Sequence, residues 1–463
     1  MNRLKINLIP ILYVLIIISL CFTEGIGIII LSIPITLLII FILSLNSKKV
    51  LEILEKSFKY LKEVRWLLSF FIVALIGAFF NIMTHHIEFP RFLLSIIVTY
   101  ILSFAVFYLI GLFLPFIFSN KKIVKLFIIS LLIIMIAGFI EFIIFSLHIY
   151  SFEVFYKFIT GRSNILCYKM GFLPRIQSLF QEPSHYAWFL VCLMPLTMSI
   201  SKSNKVIHIN IQNIIIKMLF PIVFISLLLT RSPINLIISV GVYIFCLLAL
   251  NKINIKKIIK IACLIFAMLL IISILLIKVE LLYDSITSRI ISGMMIFKNF
   301  DLLIHVESSF ATRIISYVNM FIIYLHHPIF GTGCGSLATE LYKQLPNSPL
   351  PLTGSLSALI SQSHSTSANP SIFFKVLVDT GSLGFICFAM FIYNIYKKIN
   401  KKFLFINGDI YNFLNGIKYT LLIFVCLSIY DSTIACHYFW CLFGVISGLY
   451  LKNVNKFRKN LNN

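Results

Sequence analysis

The sequence predicts an all-α integral membrane protein, and three of its features lead to this prediction. Of its 463 residues, 60% are hydrophobic and only 12% are charged, whereas soluble domains carry about 25% charged residues. Apolar runs long enough to cross a bilayer recur along the chain. Lysine and arginine are concentrated in alternate connections between these runs, as expected for helices that cross a membrane in turn.

About twelve apolar runs are candidates for transmembrane helices, since a run of roughly 17–25 residues can span the hydrocarbon core. They lie near residues 7–22, 25–45, 66–83, 93–118, 126–149, 186–200, 217–230, 234–250, 261–277, 372–396, 419–431 and 437–451. No small-residue cleavage site follows the first run, so we expect a retained helix at the N-terminus and not a cleaved signal peptide.

The basic connections predict the orientation of these helices. Every second connection is rich in Lys and Arg, for example residues 48–65 and 397–402. All of them lie on the side of the N-terminus, so the positive-inside rule places both termini in the cytoplasm. We therefore attribute the net charge of +23 to cytoplasmic lysines that face anionic lipid, and we expect no nucleic-acid partner. Without internal repeats, residues 1–463 are expected to form a single polytopic domain.

Two long connections interrupt the short loops, and both fall on the predicted outer side. The first covers about residues 150–185 and the second about residues 278–371. Within the second, the apolar stretch Ile314–Leu325 predicts an amphipathic helix lying on the outer leaflet. The sequence therefore predicts a bundle of membrane helices with two large external loops that contain short amphipathic helices.

Basic residues are sparser on the predicted outer side than in the cytoplasmic connections, which makes external arginines candidates for function. The charged and polar candidates are Arg175, Glu182, Arg231, Arg313, His326, His327, His364 and Asn369. Several arginines at an outer membrane surface suit a phosphate or pyrophosphate group, because the guanidinium fork binds its oxygens bidentately and stays charged. A nearby histidine could act as a general base. A site of this kind can operate without a metal, and we expect neither a metal nor a cofactor.

Each candidate also has a structural interpretation. An arginine at a helix end can anchor the helix at the interface, and His326 and His327 precede a proline at a turn. Glu182 precedes Pro183, which is expected in the first turn of a helix, so Glu182 is as good a capping residue as a catalytic one. The glycines of the segment 331–335 are expected to shape a turn more than to bind phosphate. Glu141 lies inside an apolar run, and the sequence does not identify its partner.

Four stretches carry, in order, a resemblance to a known family: RIQSLFQEPSHYAWFL, LLLTRSPINLI, ATRIISYVNMFIIYLHHPIFGTGCGS and SANPSIFFKVLVDTGSLGF. Together they resemble the O-antigen polymerase and ligase superfamily of bacterial envelope enzymes, and in particular its Wzy-type polymerases. The resemblance covers about residues 170–390. Each motif is loose, and their order, spacing and shared external location make the resemblance specific.

The resemblance implies a metal-independent, inverting glycosyltransferase of the multi-spanning GT-C type. It would act at the outer face of the bacterial cytoplasmic membrane on a glycan linked to undecaprenyl pyrophosphate, with a second lipid-linked unit as acceptor. The product would be O-antigen or capsular polysaccharide, and a chain-length regulator is a conceivable partner.

By position, the resemblance assigns Glu182, His364 and Arg313 to catalysis. It assigns Arg175 and Arg231 to substrate binding, and we expect His327 and Asn369 to contribute to substrate binding as well. His364 stands in SHSTSANP and not in the tighter His-Asn arrangement of the ligases, which favours a polymerase. The same departure leaves the general base open between His364, Glu182 and the substrate itself.

Two rival functions remain open at this stage. A ligase would transfer the finished glycan to lipid A-core or another acceptor by the same chemistry. A flippase for lipid-linked oligosaccharide belongs to another class, and it would carry polar residues through its helix midplanes. The concentration of polar candidates in two external loops favours an enzyme.

Glycan transfer by the purified protein should survive chelation of divalent ions, because arginine can supply the positive charge that a metal would otherwise give. The measurement is polymer formation with and without EDTA. A loss of polymer that added Mg²⁺ reverses would contradict the metal-free prediction.

Overall fold

In a computed structural model, the all-α prediction is confirmed: the described residues form helices and turns, with no strand among them. The structure describes residues 2–21, 47–85, 96–147, 175–180, 182–201, 210–230, 232–251, 308–353, 356, 371–399, 408–429 and 436–462. The first external loop is thus described only from residue 175, and the second mainly over residues 308–353.

The helices are numbered in chain order. They are α1 Asn2–Cys21, α2 Ser47–Tyr60, α3 Lys62–His85, a π-helix Ile96–Val106 that leads into α4 Phe107–Ile117, α5 Asn120–Ser146, α6 Pro183–Ser201, α7 Asn210–Thr230, α8 Pro233–Asn251, α9 Ser308–His326, α10 Leu337–Gln344 with a 3-10 turn Leu345–Asn347, α11 Ile372–Ile399, α12 Gly408–Leu427 and α13 His437–Asn462. Pro183 begins α6, as the sequence predicts.

Within the described residues, four helical stretches are long and apolar enough to cross a membrane. They are Lys62–Phe80, Tyr100–Ile117, Asn120–Ser146 and Ile372–Ile399. Shorter apolar helices lie at Pro10–Cys21, Lys217–Thr230, Asn235–Ala249 and Tyr411–Leu427. The predicted spans near residues 25–45 and 261–277 lie outside the described residues. Length and composition therefore agree with a membrane protein, while the count of twelve spans stays a prediction.

Two helices form the centre of the bundle. Almost every side chain of α6 is buried, and so are the side chains of α13 from His437 to Leu449. A helix that is apolar on all sides must be shielded from water by other helices or by lipid, and here other helices surround both. Helices α7, α8 and α12 pack on α6, while α4 makes the main contact with α13. The predicted catalytic loop therefore leads directly into the most buried helix of the protein.

Small residues set the close crossing of α4 and α13. A Cβ atom at Gly444 would overlap the carbonyl oxygen of Tyr108, and one at Gly448 would overlap that of Leu112. Glycines four residues apart on one helix let two backbones approach closely, as in helix pairs within membranes. The G-V-I-S-G stretch of α13 thus determines where these two helices meet.

A buried ion pair joins α3 to α11. The Lys398 ammonium donates to the Glu63 carboxylate, and Ser447 Oγ donates to the same oxygen at 2.6 Å. The Tyr108 hydroxyl donates to Ser447 Oγ at 2.9 Å, so the network links four helices. The sequence predicts that the lysines of residues 397–402 face anionic lipid. This prediction is wrong for Lys398, whose side chain is buried. A buried charge requires a partner of opposite sign, and Glu63 provides it.

Helix α11 is broken at Gly381, where the sequence predicts one continuous span. Gly381 has φ 65° and ψ −169°, a combination that is essentially restricted to glycine. The loop that follows α9 supplies the hydrogen bonds that the break removes. Thr332 N donates to Val378 O at 2.7 Å, and Ser382 N donates to Pro328 O at 2.8 Å. Both ends of the interrupted helix are therefore satisfied within the protein.

Replacing Gly381 with alanine should destabilise the protein strongly. The backbone conformation alone costs about 1–3 kcal/mol for a residue with a Cβ atom, and that atom would overlap the Ile329 carbonyl oxygen. The measurement is the thermal unfolding midpoint of the protein in detergent.

Gly241→Ala is the matched control for this substitution. Gly241 lies in α8 with nothing within 4 Å of an added Cβ atom, and alanine favours a helix over glycine by roughly 0.5–1 kcal/mol. We expect an unchanged or raised midpoint for Gly241→Ala. An equal effect of the two substitutions would show that the break does not require glycine.

Candidate functional site

The turn Arg175–Phe180 is held against the C-terminal end of α7. Arg175 Nε donates to Thr230 O at 3.1 Å, and Ile176 N donates to Leu229 O at 3.2 Å. Two consecutive residues of the turn thus bind two consecutive carbonyl groups at the end of a helix, where carbonyl groups lack partners within the helix. Arg175 is half-buried in this position.

The opposite side of the turn is held by α5. Glu141 Oε2 accepts hydrogen bonds from Gln177 N at 3.0 Å and from Ser178 N at 2.6 Å. Ser178 has φ 53°, and successive N–H groups around a left-handed residue form a concave site for an anion. Ser178 Oγ also donates to Ile134 O at 2.5 Å. The structure therefore identifies the partner of Glu141.

The start of α6 completes this part of the molecule. Glu182 lies immediately before Pro183 and is exposed, and its Oε2 accepts a hydrogen bond from Ser184 Oγ at 3.1 Å. This position places a carboxylate near the positive end of a helix, where it is stabilised. Asn235 Nδ2 donates to Ser184 O at 3.2 Å and to Ser232 Oγ at 3.0 Å, which binds the start of α8 to the start of α6.

The first two predicted motifs are therefore neighbours in space. We call this region the loop–hairpin centre, and it consists of the turn Arg175–Phe180, the residues Glu182–Ser184, and the described ends of α7 and α8. Arg175 contacts Thr230, which directly precedes Arg231 in the sequence. Arg231 itself lies outside the described residues.

The third and fourth motifs meet at a second place, the break in α11. The loop Pro328–Ser336 crosses α11 there, and α9 packs on the same helix. Asp379, next to the break, is fully buried, and its Oδ2 accepts a hydrogen bond from the Tyr100 hydroxyl at 2.7 Å. Among the described residues, no group donates to Asp379 Oδ1. We call this region the helix-break centre, and it consists of the loop Pro328–Ser336, residues 378–383 of α11 and Tyr100.

Cys334 lies in the loop of the helix-break centre and is buried. Burial, followed by the nearby Asp379 carboxylate, raises the pKa of the Cys334 thiol well above its ordinary value. The thiol therefore stays protonated at neutral pH. A protonated thiol is a poor nucleophile, so the environment of Cys334 suits packing and not covalent catalysis.

The Gly-rich segment 331–335 is a turn, as the sequence predicts. Gly331, Gly333 and Gly335 all have positive φ. Gly331 N donates to His327 O at 3.1 Å, and Gly333 N donates to Asp379 O at 2.9 Å. Backbone N–H groups that already bind carbonyl groups of the protein are not available to hold a phosphate.

Arg313 and His327 lie near opposite ends of α9. The first residue is in the second turn of the helix, and the second follows its last residue. Fourteen residues at 1.5 Å each separate them by about 20 Å. Both side chains are half-buried. The structure therefore places them too far apart to hold one phosphate group together, and His327 N donates to Tyr324 O in the turn that ends the helix.

His364 and Asn369 lie outside the described residues, so the structure adds nothing to their predicted roles. Tyr100 and Asp379 of the helix-break centre were not among the candidates predicted from the sequence. Asp379 was detectable as a carboxylate within an apolar run, as Glu141 was. Within the described residues, no three His, Cys, Asp or Glu side chains are grouped as a metal would require.

Residues 218–389 match a family model described as O-antigen ligase. This match supports the O-antigen polymerase and ligase superfamily. Its members are glycosyltransferase-like enzymes, and the match does not distinguish a polymerase from a ligase. It covers less than half of the chain, from α7 to the second half of α11, and so it includes the helix-break centre. Glu141, Arg175 and Glu182 precede the matched segment. Comparison with curated proteins gives no match.

Tyr100→Phe should destabilise the protein by about 1–3 kcal/mol, because it removes a hydrogen-bond donor from a buried carboxyl group. The measurement is the thermal unfolding midpoint in detergent. Tyr438→Phe is the control, since the buried Tyr438 hydroxyl donates to a neutral backbone carbonyl, Phe127 O at 2.9 Å, and its loss should cost only about 0.5–1.5 kcal/mol. A smaller effect at Tyr100 than at Tyr438 would contradict the importance of the Asp379 contact.

Proposed function

We propose that the protein is a glycosyltransferase that polymerises oligosaccharide units linked to undecaprenyl pyrophosphate. It would work at the outer face of the bacterial cytoplasmic membrane, with about twelve membrane-spanning helices of the GT-C type and with both termini in the cytoplasm. The donor and acceptor would both be lipid-linked glycans. The family match supports the reaction class, and the polymerase assignment rests on the departure around His364.

The observation that carries the proposal is the contact between Arg175 and the end of α7. The first motif supplies one arginine to this contact, and the second motif places Arg231 next in sequence to the contacted residue. Two guanidinium groups carried by adjoining segments suit a pyrophosphate, which presents oxygens on two phosphorus atoms. The adjacency of Arg175 and Thr230 supports the proposed substrate-binding role of Arg175 and Arg231.

In the proposed reaction, a hydroxyl group of the acceptor sugar attacks the anomeric carbon of the donor glycan. A new glycosidic C–O bond forms with inversion as the bond to the pyrophosphate oxygen breaks, and undecaprenyl pyrophosphate leaves. The hydroxyl proton passes to a general base, for which His364 and Glu182 are the candidates. Glu182 is exposed at the start of α6, so an acceptor can reach its carboxylate. Arginine side chains stabilise the charge that develops on the leaving pyrophosphate.

Arg313 lies in the second turn of α9, near the end of that helix away from the break in α11, and it takes no part in the contacts described for the loop–hairpin centre. In the proposal it completes the binding of an anionic substrate from the side of α9. Its partial exposure is compatible with that role. His327 and Asn369 remain proposed as substrate contacts. The backbone of His327 forms part of the turn that ends α9, where its N–H donates to Tyr324 O.

A ligase is the second candidate function. The description of the matched family, O-antigen ligase, favours it. Polymerase and ligase share donor and chemistry and differ in acceptor, which is a second lipid-linked unit in one case and lipid A-core in the other. A chain-length regulator would be a partner only of the polymerase.

Deletion of the gene followed by complementation tests the proposal, with surface glycans and lipid-linked glycans separated on gels. A polymerase is supported if single repeat units accumulate and the ladder disappears on deletion. Polymer that still forms but stays on its carrier lipid would instead show a ligase. Lipid-linked units retained in the inner leaflet would show a flippase and would overturn the enzyme proposal.

Arg175→Ala should abolish the glycan ladder while leaving the protein in the membrane, because the guanidinium group that contacts pyrophosphate is lost. Arg175→Lys should restore little, since an ammonium group cannot bind phosphate oxygens bidentately. The measurement is ladder intensity normalised to the amount of membrane protein.

Arg65→Ala is the matched control for the arginine variants. The Arg65 guanidinium is exposed and donates to the carbonyl groups of Phe58 and Lys59 at the end of α2, on the predicted cytoplasmic side. A normal ladder is expected for Arg65→Ala. A normal ladder for Arg175→Ala would remove this residue from the site.

A further inference from the structure

Glu141 is a fully buried carboxyl group within Asn120–Ser146, one of the candidate membrane spans. Carboxyl groups in such a segment are costly and are retained where they perform a task. Two described hydrogen bonds reach Glu141 Oε2 from outside its own helix. They come from two consecutive backbone N–H groups, Gln177 N and Ser178 N.

The face of α5 that carries Glu141 is shaped to receive the turn. Ile134, Gly138 and Glu141 follow one another at spacings of four and three residues, so they lie on the same side of the helix. Ser178 is bound to the first of these residues by its hydroxyl group and to the last by its N–H group. A Cβ atom at Gly138 would stand only 3.3 Å from Ser178 Cβ. The small residue thus makes room for the turn between its two anchors.

The anchors determine where Arg175 can be. Ile176 and Arg175 bind the end of α7 on one side, and Gln177 and Ser178 bind α5 on the other. Four consecutive residues are therefore fixed to two helices. Without Glu141, the left-handed conformation at Ser178 would lose the acceptor that stabilises it. Such a conformation is unfavourable for a residue with a side chain, so the turn would rearrange.

We infer that Glu141 is a positioning residue for glycan transfer. It fixes the turn Arg175–Phe180, and through that turn it holds the Arg175 guanidinium in the orientation that binds the anionic substrate. Glu141 does not touch substrate. The inference rests on the proposed function, because it assigns a consequence for catalysis to a residue outside the matched family segment.

A substitution series at Glu141 separates hydrogen bonding from bulk. Glu141→Gln keeps an oxygen that can accept both N–H groups, so transfer should stay within about threefold of wild type, a loss comparable to that of a single weakened hydrogen bond. Glu141→Leu removes the acceptor, and transfer should fall by on the order of 10- to 100-fold, as expected for a misplaced substrate-binding group. Ser130→Ala is the control within α5, since Ser130 Oγ binds Leu126 O of its own helix.

A double-mutant cycle with Arg175→Lys, run at protein concentrations high enough to quantify the small residual transfer of this variant, then tests whether Glu141 acts through Arg175. The readouts are the initial rate of glycan transfer, the donor concentration that gives half-maximal rate, and the unfolding midpoint of each variant. If Glu141 positions Arg175, the double variant should be no more than about threefold slower than the slower single variant, because coupled residues do not add. Both single variants should raise the half-maximal donor concentration.

Each outcome decides one of the two proposals. Losses that multiply in the double variant, or a fall in rate that only follows a fall in the unfolding midpoint, would overturn the positioning role of Glu141. Failure of Glu141→Gln to retain more transfer than Glu141→Leu would overturn it as well. If the wild-type protein transfers no glycan from lipid-linked donor to acceptor, the proposed function fails and the positioning role fails with it.

Discussion

Three carboxyl groups, those of Glu63, Glu141 and Asp379, lie fully buried in the apolar helical bundle. Each joins segments that are distant in sequence, because a carboxyl group in such surroundings is tolerated only where the protein supplies its hydrogen-bond partners. Glu63 binds Lys398, 335 residues away, and Asp379 binds Tyr100, 279 residues away. Glu141 binds a turn of the chain. The positions of the helices around the candidate site depend on these contacts.

The same constraint explains the break in α11. An interrupted helix exposes carbonyl groups at one end and N–H groups at the other, and in an apolar environment these must be satisfied by the protein. The loop after α9 supplies them, with Thr332 and Gly333 as donors and Pro328 and Ile329 as acceptors. Because those contacts require close backbone approach, glycine is needed at Gly331 and Gly381. The third and fourth motifs are therefore held together by backbone geometry.

The structure groups the four motifs into two pairs, and this grouping gives the proposed reaction a physical layout. The loop–hairpin centre carries Arg175 and Glu182 at the start of the most buried helix. The helix-break centre holds α9 against α11, and α9 carries Arg313 near its other end. A transferase needs one binding region for the donor and another for the acceptor. Rigid packing around each region keeps the reacting groups in the orientation that the reaction requires. The buried contacts described above supply that rigid packing.

Much of the fold follows from sequence, because apolar runs and helix-starting residues act locally. The helical class, the position of most described helices, the start of α6 at Pro183 and the turn at Gly331–Gly335 were all predictable from residues close in the chain. The external arginines were identifiable as candidates because basic residues are sparser there than in the cytoplasmic connections.

Other features depended on tertiary structure alone. The donors to Glu141 are backbone N–H groups, which every residue except proline carries, so no pattern of side chains could reveal them. Nothing in the sequence distinguishes Lys398 from the lysines next to it. Only the packing of α3 places Glu63 beside its ammonium group. The break at Gly381 could not be predicted from the sequence. An isolated glycine in an apolar run does not indicate whether another segment of the chain packs across the helix at that position. Composition and periodicity thus determined which segments are helices, while contacts between distant segments decided which motifs meet, because the partner of a buried group is set by packing and not by its neighbours in sequence.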